Sequence, residues 1–287
     1  MGYKNKLKRI RQDLFVQACR LCNLTTFNRF VCDVERRVDR AEVFFILGLG
    51  RSGTSFLAEL LNGCDGVSVY HEPVFRDYHE EVFASQESSA KREYIKKYRL
   101  WCMWNLIRSS NPKCYGEVNS LLRYHVRELK QCFPSSRLLY IVRDGRNVVS
   151  SIMARNHYRD NARGHHAVSP LYGSAYYEKW KDMNRFEKVC WLWADSNQRL
   201  RKQLGTAVQL EQLVSSYPYF KEHVESALQI DVGEIRWGKY VDRPRNTTKN
   251  VAEYVAYDDW TEVMKKSFST ICREEMLYAG YDCEPPL

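Results

Sequence analysis

The sequence predicts a doubly wound α/β fold, a parallel sheet flanked by helices in a single domain. Three observations lead there. Apolar runs of strand length recur along the chain, the clearest at Val43–Leu49 and Arg137–Val142. These runs are continuous rather than alternating, as strands covered on both faces are. Segments with helical spacing separate them, and strands alternating with helices imply parallel crossovers.

Taken in order, Val43–Leu49 runs into Gly50 and leads into Ser52–Asn62, where Phe56, Leu57, Leu60 and Leu61 recur at helical spacing. Gly66–Tyr70 is a short second strand. Arg92–Arg108 and Leu121–Cys132 read as helices. The strand Arg137–Val142 is followed by a helix over Gly145–Arg155. The long helix Tyr176–Leu204 precedes a last strand near Ala207–Leu210. Trp191, Trp193 and Asn197 on that helix are expected in the core. Trp260, Phe268, Ile271 and Gly280-Tyr281 belong to closing helices. Residues 1–40 form a separate basic helical segment, with Leu7, Ile10, Leu14 and Ala18 as its apolar stripe, and 41–287 form the domain. The stretch 156–177 holds His157, His165, His166 and several tyrosines amid loop-forming residues. It reads as a lid or acceptor-binding loop.

Composition narrows the function classes. The chain has 287 residues, 44% of them hydrophobic, so it can build a sizeable core. Its formal net charge of +9 favours an anionic partner. The basic residues are dispersed and no nucleic-acid motif is present, so nucleic acid is not the expected partner. The ten cysteines are scattered. They are expected as buried thiols, and the lone Cys19–Cys22 pair lacks a partner at zinc-site spacing. No metal is expected. Read from Met1, the chain carries no secretory leader and no membrane-spanning run, and is expected in the cytoplasm.

The sharpest local signal is Gly48-Leu49-Gly50-Arg51-Ser52-Gly53-Thr54-Ser55, which joins an apolar strand to a helix. Glycines permit the turn, and the free amides and dipole of the helix start attract an anion. Thr54 stands where a nucleoside-triphosphatase loop carries its lysine. A loop without that lysine can still hold a 5′-phosphate, and Arg51 can face the bond being broken. Downstream, Leu138–Val142 ends in Arg143-Asp144-Gly145-Arg146, and Ser151 lies about two helical turns in. Arginine suits phosphate because its fork bonds two oxygens. Between these elements, Tyr70-His71-Glu72-Pro73 follows the second strand, at the sheet edge where ligands bind in open α/β folds. Glu72 can take a proton there, His71 can substitute for it, and Glu117 is a further carboxylate candidate.

Arg51-Ser52-Gly53-Thr54-Ser55-Phe56-Leu57 resembles the phosphosulfate loop of sulfotransferases that use 3′-phosphoadenosine 5′-phosphosulfate (PAPS). Its Arg-Ser-Gly form is similar to the carbohydrate and tyrosylprotein branches. The resemblance implies a P-loop-like fold. It also implies that residues 51–56 hold the 5′-phosphosulfate, with Arg51 stabilising the leaving group. Arg143 and Ser151 match the family's 3′-phosphate element, and Glu72 stands where those branches place a glutamate base. A late basic loop closes the nucleotide in the family, and Lys249 is its candidate here. The implied reaction is sulfuryl transfer from PAPS to a hydroxyl or amine of a small-molecule or carbohydrate acceptor, leaving the desulfonated nucleotide PAP. Two other readings stay open. One is a P-loop kinase, with Asp144 as its magnesium-holding residue. The other is a module that only binds an anionic ligand.

Overall fold

The structure, a computed structural model, describes residues 42–87, 90–155, 158, 168–241 and 254–283. The basic segment 1–40, the pair Cys19–Cys22, the three loop histidines and Lys249 lie outside the described residues. The described residues form one parallel five-stranded sheet. Its strands are β1 (Glu42–Leu47), β2 (Val67–His71), β3 (Cys114–Val118), β4 (Arg137–Val142) and β5 (Val208–Gln209), in the order β2-β3-β1-β4-β5. Both faces are covered, so the α/β class expected from the apolar runs holds.

The two cores follow from the two-residue repeat of a strand. In β1, Val43, Phe45 and Leu47 point to one face, where they pack with Met103, Leu129, Val148 and Trp193. Phe44 and Ile46 point to the other, against Leu57, Leu61, Phe220 and Leu228. Helix α1 (Thr54–Leu61) contributes to the second core. Helices α5 (Gly145–Met153), α6 (Arg185–Leu204) and α7 (Glu262–Tyr278) contribute to the first, with α4 (Val126–Cys132). Trp193 is fully buried, as expected of a core residue on α6.

Three elements differ from the sequence reading: α4 begins at Val126 rather than Leu121, because Leu121–Tyr124 form a turn after β3. Strand β3 has no counterpart in the sequence pattern between Arg108 and Leu121, yet it is central and buried throughout. Gly116 and Glu117 mask it. The glycine is required because a Cβ there would sit inside the ring of Phe44, its register partner. Glu117 is tolerated because it is fully paired. Helix α6 begins at Arg185 rather than Tyr176, because Asn184 and Glu187 form a reciprocal capping box that sets its start. Two elements also frame the site. Helix α2 (Asp77–Ser85) follows the Glu72-Pro73 turn, where sequence periodicity gave no helix. A longer stretch runs through Ala90–Glu93, the widened turns of Tyr94–Arg99 and α3 (Leu100–Ser110). The cysteines within the described residues carry no disulfide, and Cys102 and Cys190 are buried.

Candidate active site

Four strands end at one edge of the sheet, and the chain leaves each carrying a polar side chain. After β1 comes the Gly48–Gly53 loop. Gly53 caps α1 with φ 83°, and a Cβ on it would lie 2.5 Å from Leu210. Both facts require glycine. Arg51 also has a positive φ, 78°. Its Nε donates to Ser151 Oγ at 2.8 Å, and its carbonyl accepts from Arg143 Nη1 at 3.1 Å. The fold therefore brings Arg51 to Arg143 and Ser151, which lie 92 and 100 residues further along the chain. Arg155, one turn beyond Ser151, lines a cavity that Arg51 also lines. Burial, then the like charges of Arg155 and Arg143, lower the Arg51 pKa to about 10. Arg51 stays charged at neutral pH, in a site whose field favours an anion.

Ser52 and Thr54 are buried in the loop, and Ser55 and Phe56 are half-buried. His71 Nε2 lies 3.0 Å from Thr54 Oγ1 and 3.3 Å from Ser55 Oγ. It is 4.0 Å from Glu72 Oε1. His71 thus contacts the loop and stands beside the carboxylate without a hydrogen bond to it.

Glu72 leaves β2 with φ 44°, a conformation that costs a non-glycine residue energy and collects at functional sites. Tyr78 donates to its Oε2 at 3.1 Å, and Ser120 donates to Oε1. Tyr78 comes from α2, and Ser120 from the turn after β3. Both hold the carboxylate beside a cavity of about 210 Å³. Arg51 and Arg155 line its cationic side. Glu72, Glu81 and Ser120 line its acidic and polar side. Leu49, Leu121, Ile152 and Leu192 supply apolar walls.

Below the cavity lies a buried charge network. Arg99 pairs with both Asp77, at 3.0 Å, and Glu117. Tyr94 donates to Asp77 at 2.5 Å, Tyr115 to Glu117 at 2.6 Å, and Asn119 to both carboxylates at 3.1 Å. Burial pushes Asp77 up to about 6, with Arg99 opposing the shift. Asn119 Oδ1 accepts from Leu121 N at 3.0 Å, so the network also shapes the turn that carries Ser120. Glu117 is fully buried, both its oxygens are engaged, and it does not line the cavity. It is therefore not placed to act as a base, and its candidacy is corrected. Asp144 is likewise occupied. It caps α5 through Arg146 N at 2.8 Å and pairs with the Arg146 guanidinium. That is a capping role rather than a magnesium site.

The sequence reading missed Tyr78, Glu81, Ser120, Arg123 and Arg155. Two spacing signals point to three of them. Tyr78 and Glu81 are three apart on one helix face, and Arg155 follows Ser151 by four. Glu211, without an assigned role from sequence, accepts from Asp144 N at 3.2 Å and from Tyr281 OH at 2.5 Å. It ties the chain after β5 to the β4 end. Within 156–177, Tyr158 is anchored through its hydroxyl to Val168 O at 2.7 Å, and Tyr172 is exposed.

The chain matches no protein-family model and no curated protein. Similar solved structures include a sulfotransferase from Alicyclobacillus acidocaldarius. It has a TM-score of 0.46 and 14% identity, over 83% of this chain and 96% of that one. A sulfotransferase from Mycobacterium avium also has a TM-score of 0.46, with 10% identity over 91% of this chain and 82% of that one. Likeness at this level carries no ligand and no activity to this chain. Among the described residues, no group of three or more His, Cys, Asp or Glu side chains is placed to hold a metal ion. No described helix is long and apolar enough to cross a membrane.

Proposed function

We propose that this protein transfers the sulfuryl group of PAPS to a hydroxyl of an acceptor seated in the cavity. One observation carries the reading. Arg143 and Ser151 meet Arg51 beside the N-terminus of α1, and Arg51 lines the cavity that Glu72 also lines. A donor with a phosphosulfate and a separate phosphate needs two cationic positions, and Arg51 and Arg143 supply them. The chain lacks the loop lysine a kinase uses, and Asp144 is held as a helix cap.

The residue roles follow from position. The loop amides and side chains of residues 51–56 hold the 5′-phosphosulfate. Arg143 and Ser151 hold the 3′-phosphate, and Lys249, outside the described residues, remains the candidate for closing over the nucleotide. Glu72 takes the acceptor proton as the acceptor oxygen bonds to sulfur. The bond from sulfur to the phosphate oxygen breaks, and PAP leaves with its electron pair. Arg51 meets the charge that develops on that oxygen. Tyr78 and Ser120 orient Glu72, and His71 is positioned to assist.

The test is Glu72→Gln, which keeps the side chain's shape and removes the proton acceptor. Transfer of label from PAPS should fall by about 10²–10⁴-fold, the usual range for a lost general base, with PAP affinity unchanged. Near-normal turnover would remove Glu72 from the mechanism. His71→Ala in the same assay would then decide whether the histidine is the base.

A further inference from the structure

The two arms that hold Glu72 are tied to each other on both sides of it. Tyr78, on α2, donates to one carboxylate oxygen, and Ser120, on the turn after β3, donates to the other. The residues just before the two arms are joined, since Asn119 Nδ2 donates to Asp77 Oδ2 at 3.1 Å. Three residues beyond the arms the pattern repeats, as Arg123 pairs with Glu81. Asp77, Tyr78 and Glu81 therefore match Asn119, Ser120 and Arg123 at one spacing in the chain. The Glu72 carboxylate is the middle of three cross-links. The four outer residues are buried, none more than 3% exposed.

Further contacts fix the cross-links in place. Asn119 uses every polar atom of its side chain. Its Nδ2 also donates to Glu117 Oε2 at 3.1 Å, and its Oδ1 accepts from Leu121 N at 3.0 Å. Its backbone N donates to Ile46 O in β1 at 2.9 Å. Arg123 donates to Ser120 O at 2.7 Å and to Ser196 Oγ, on α6, at 3.0 Å. The Ser120 turn is thus held by one side chain before it and one after it. A buried ion pair adds little net stability over apolar residues of the same volume. What a buried polar network adds is a fixed direction and spacing. Glu72 needs both, because its φ of 44° persists only where the surroundings over-determine it.

We propose that the Asp77–Asn119 and Glu81–Arg123 pairs are positioning pairs, which set the spacing between Tyr78 and Ser120 and so aim the Glu72 carboxylate at the acceptor. The inference rests on the reading of Glu72 as the base. Asn119 is the member to test. It does not line the cavity, and its removal leaves Asp77 and Glu117 their contacts with Arg99.

The experiment measures transfer of label from PAPS to cyclohexanol, an aliphatic alcohol whose proton needs a base, using the full chain. Asn119→Ala should lower kcat by about tenfold to a hundredfold, the usual loss when a group that orients a working residue is removed, with PAP affinity and alcohol KM nearly unchanged. Combined with Glu72→Gln, the same substitution should cost nothing further, because the group it aims is gone. Loss by the same factor in both backgrounds would overturn the proposal, since a purely structural effect lowers both alike. So would a wild-type kcat in Asn119→Ala while Glu72→Gln is inactive, and the base reading would then stand alone. If Glu72→Gln turns over normally, the base reading fails and the positioning role with it. Should Asn119→Ala not fold, Asn119→Ser gives the same two comparisons, because its single hydroxyl proton cannot serve both carboxylates. If PAP binds but the wild type sulfates no cyclohexanol, the proposal fails and the donor reading stands.

Discussion

The cavity has two halves of opposite charge, built in different ways. The half proposed for the donor lies at the ends of β1 and β4, where Arg51 and Arg155 line the cavity and Arg143 and Ser151 hold Arg51 from outside it. It is made of backbone turns and helix starts with arginines attached. The acceptor half lies at the ends of β2 and β3, where Glu72 is held by Tyr78 and Ser120 and Glu81 is held by Arg123. It is made of side chains carried by α2 and by the turn after β3, resting on the Asp77–Arg99–Glu117 network. The contrast separates two tasks. A phosphate is bound by local motifs that any helix start can supply. A proton acceptor must be aimed, and aiming requires a supporting shell packed from several elements.

Breaking the support of the acceptor half should have the largest effect on stability. Arg99→Met leaves Asp77 and Glu117 buried together without their cation. Loss of one partner of a buried ion pair costs about 3–5 kcal/mol, so the denaturant midpoint should drop substantially. A variant as stable as the wild type would mean that the network does not support the acceptor half.

The donor half should respond in catalysis rather than in folding. Arg51→Ala should lower kcat by about 10²–10³-fold, the scale of one lost transition-state contact, with a smaller effect on donor affinity. Normal kcat with a raised donor KM would make Arg51 a phosphate clamp only.

How much of each half the sequence discloses follows from the same contrast. Gly53 and Arg51 are legible because their turn, donors and helix are contiguous. Arg143 and Ser151 are legible because strand and helix periodicity fix both at one edge. Glu72 is legible from its place after the second strand. Glu81 is not, because nothing local distinguishes it from a solvent-facing helix carboxylate; only its burial beside Arg123 does. Strand β3 is hidden for a related reason. Gly116 and Glu117 weaken its apolar pattern, and their justification lies in Phe44 and Arg99, both distant in the chain. Asn184 and Glu187 moved the start of α6 because a capping box outweighs apolar periodicity at a helix end.

The halves also differ in their response to pH, with a smaller effect. Asp77 and Glu81 have folded pKa values raised to about 6 and about 7. In the unfolded chain both titrate near the ordinary carboxylate range, about 4. Between about pH 4 and 7 the folded state holds more protons, so stability should fall as pH rises through that window. Arg51, lowered to about 10, stays charged throughout it. Glu81→Gln should flatten the upper part of the decline in thermal scans. An unchanged slope would show that Glu81 is not protonated in the fold.

The central claim is that the donor half is built for PAPS. Calorimetric titration of the wild type and Arg143→Ala with PAP, AMP and ATP tests it most directly. PAP should bind without Mg²⁺ and far more tightly than AMP or ATP. Arg143→Ala should weaken PAP by about 1.5–3 kcal/mol, the loss of one charge-assisted contact, while leaving AMP nearly unaffected. PAP binding no better than AMP, or ATP binding tightly only with Mg²⁺, would contradict the account.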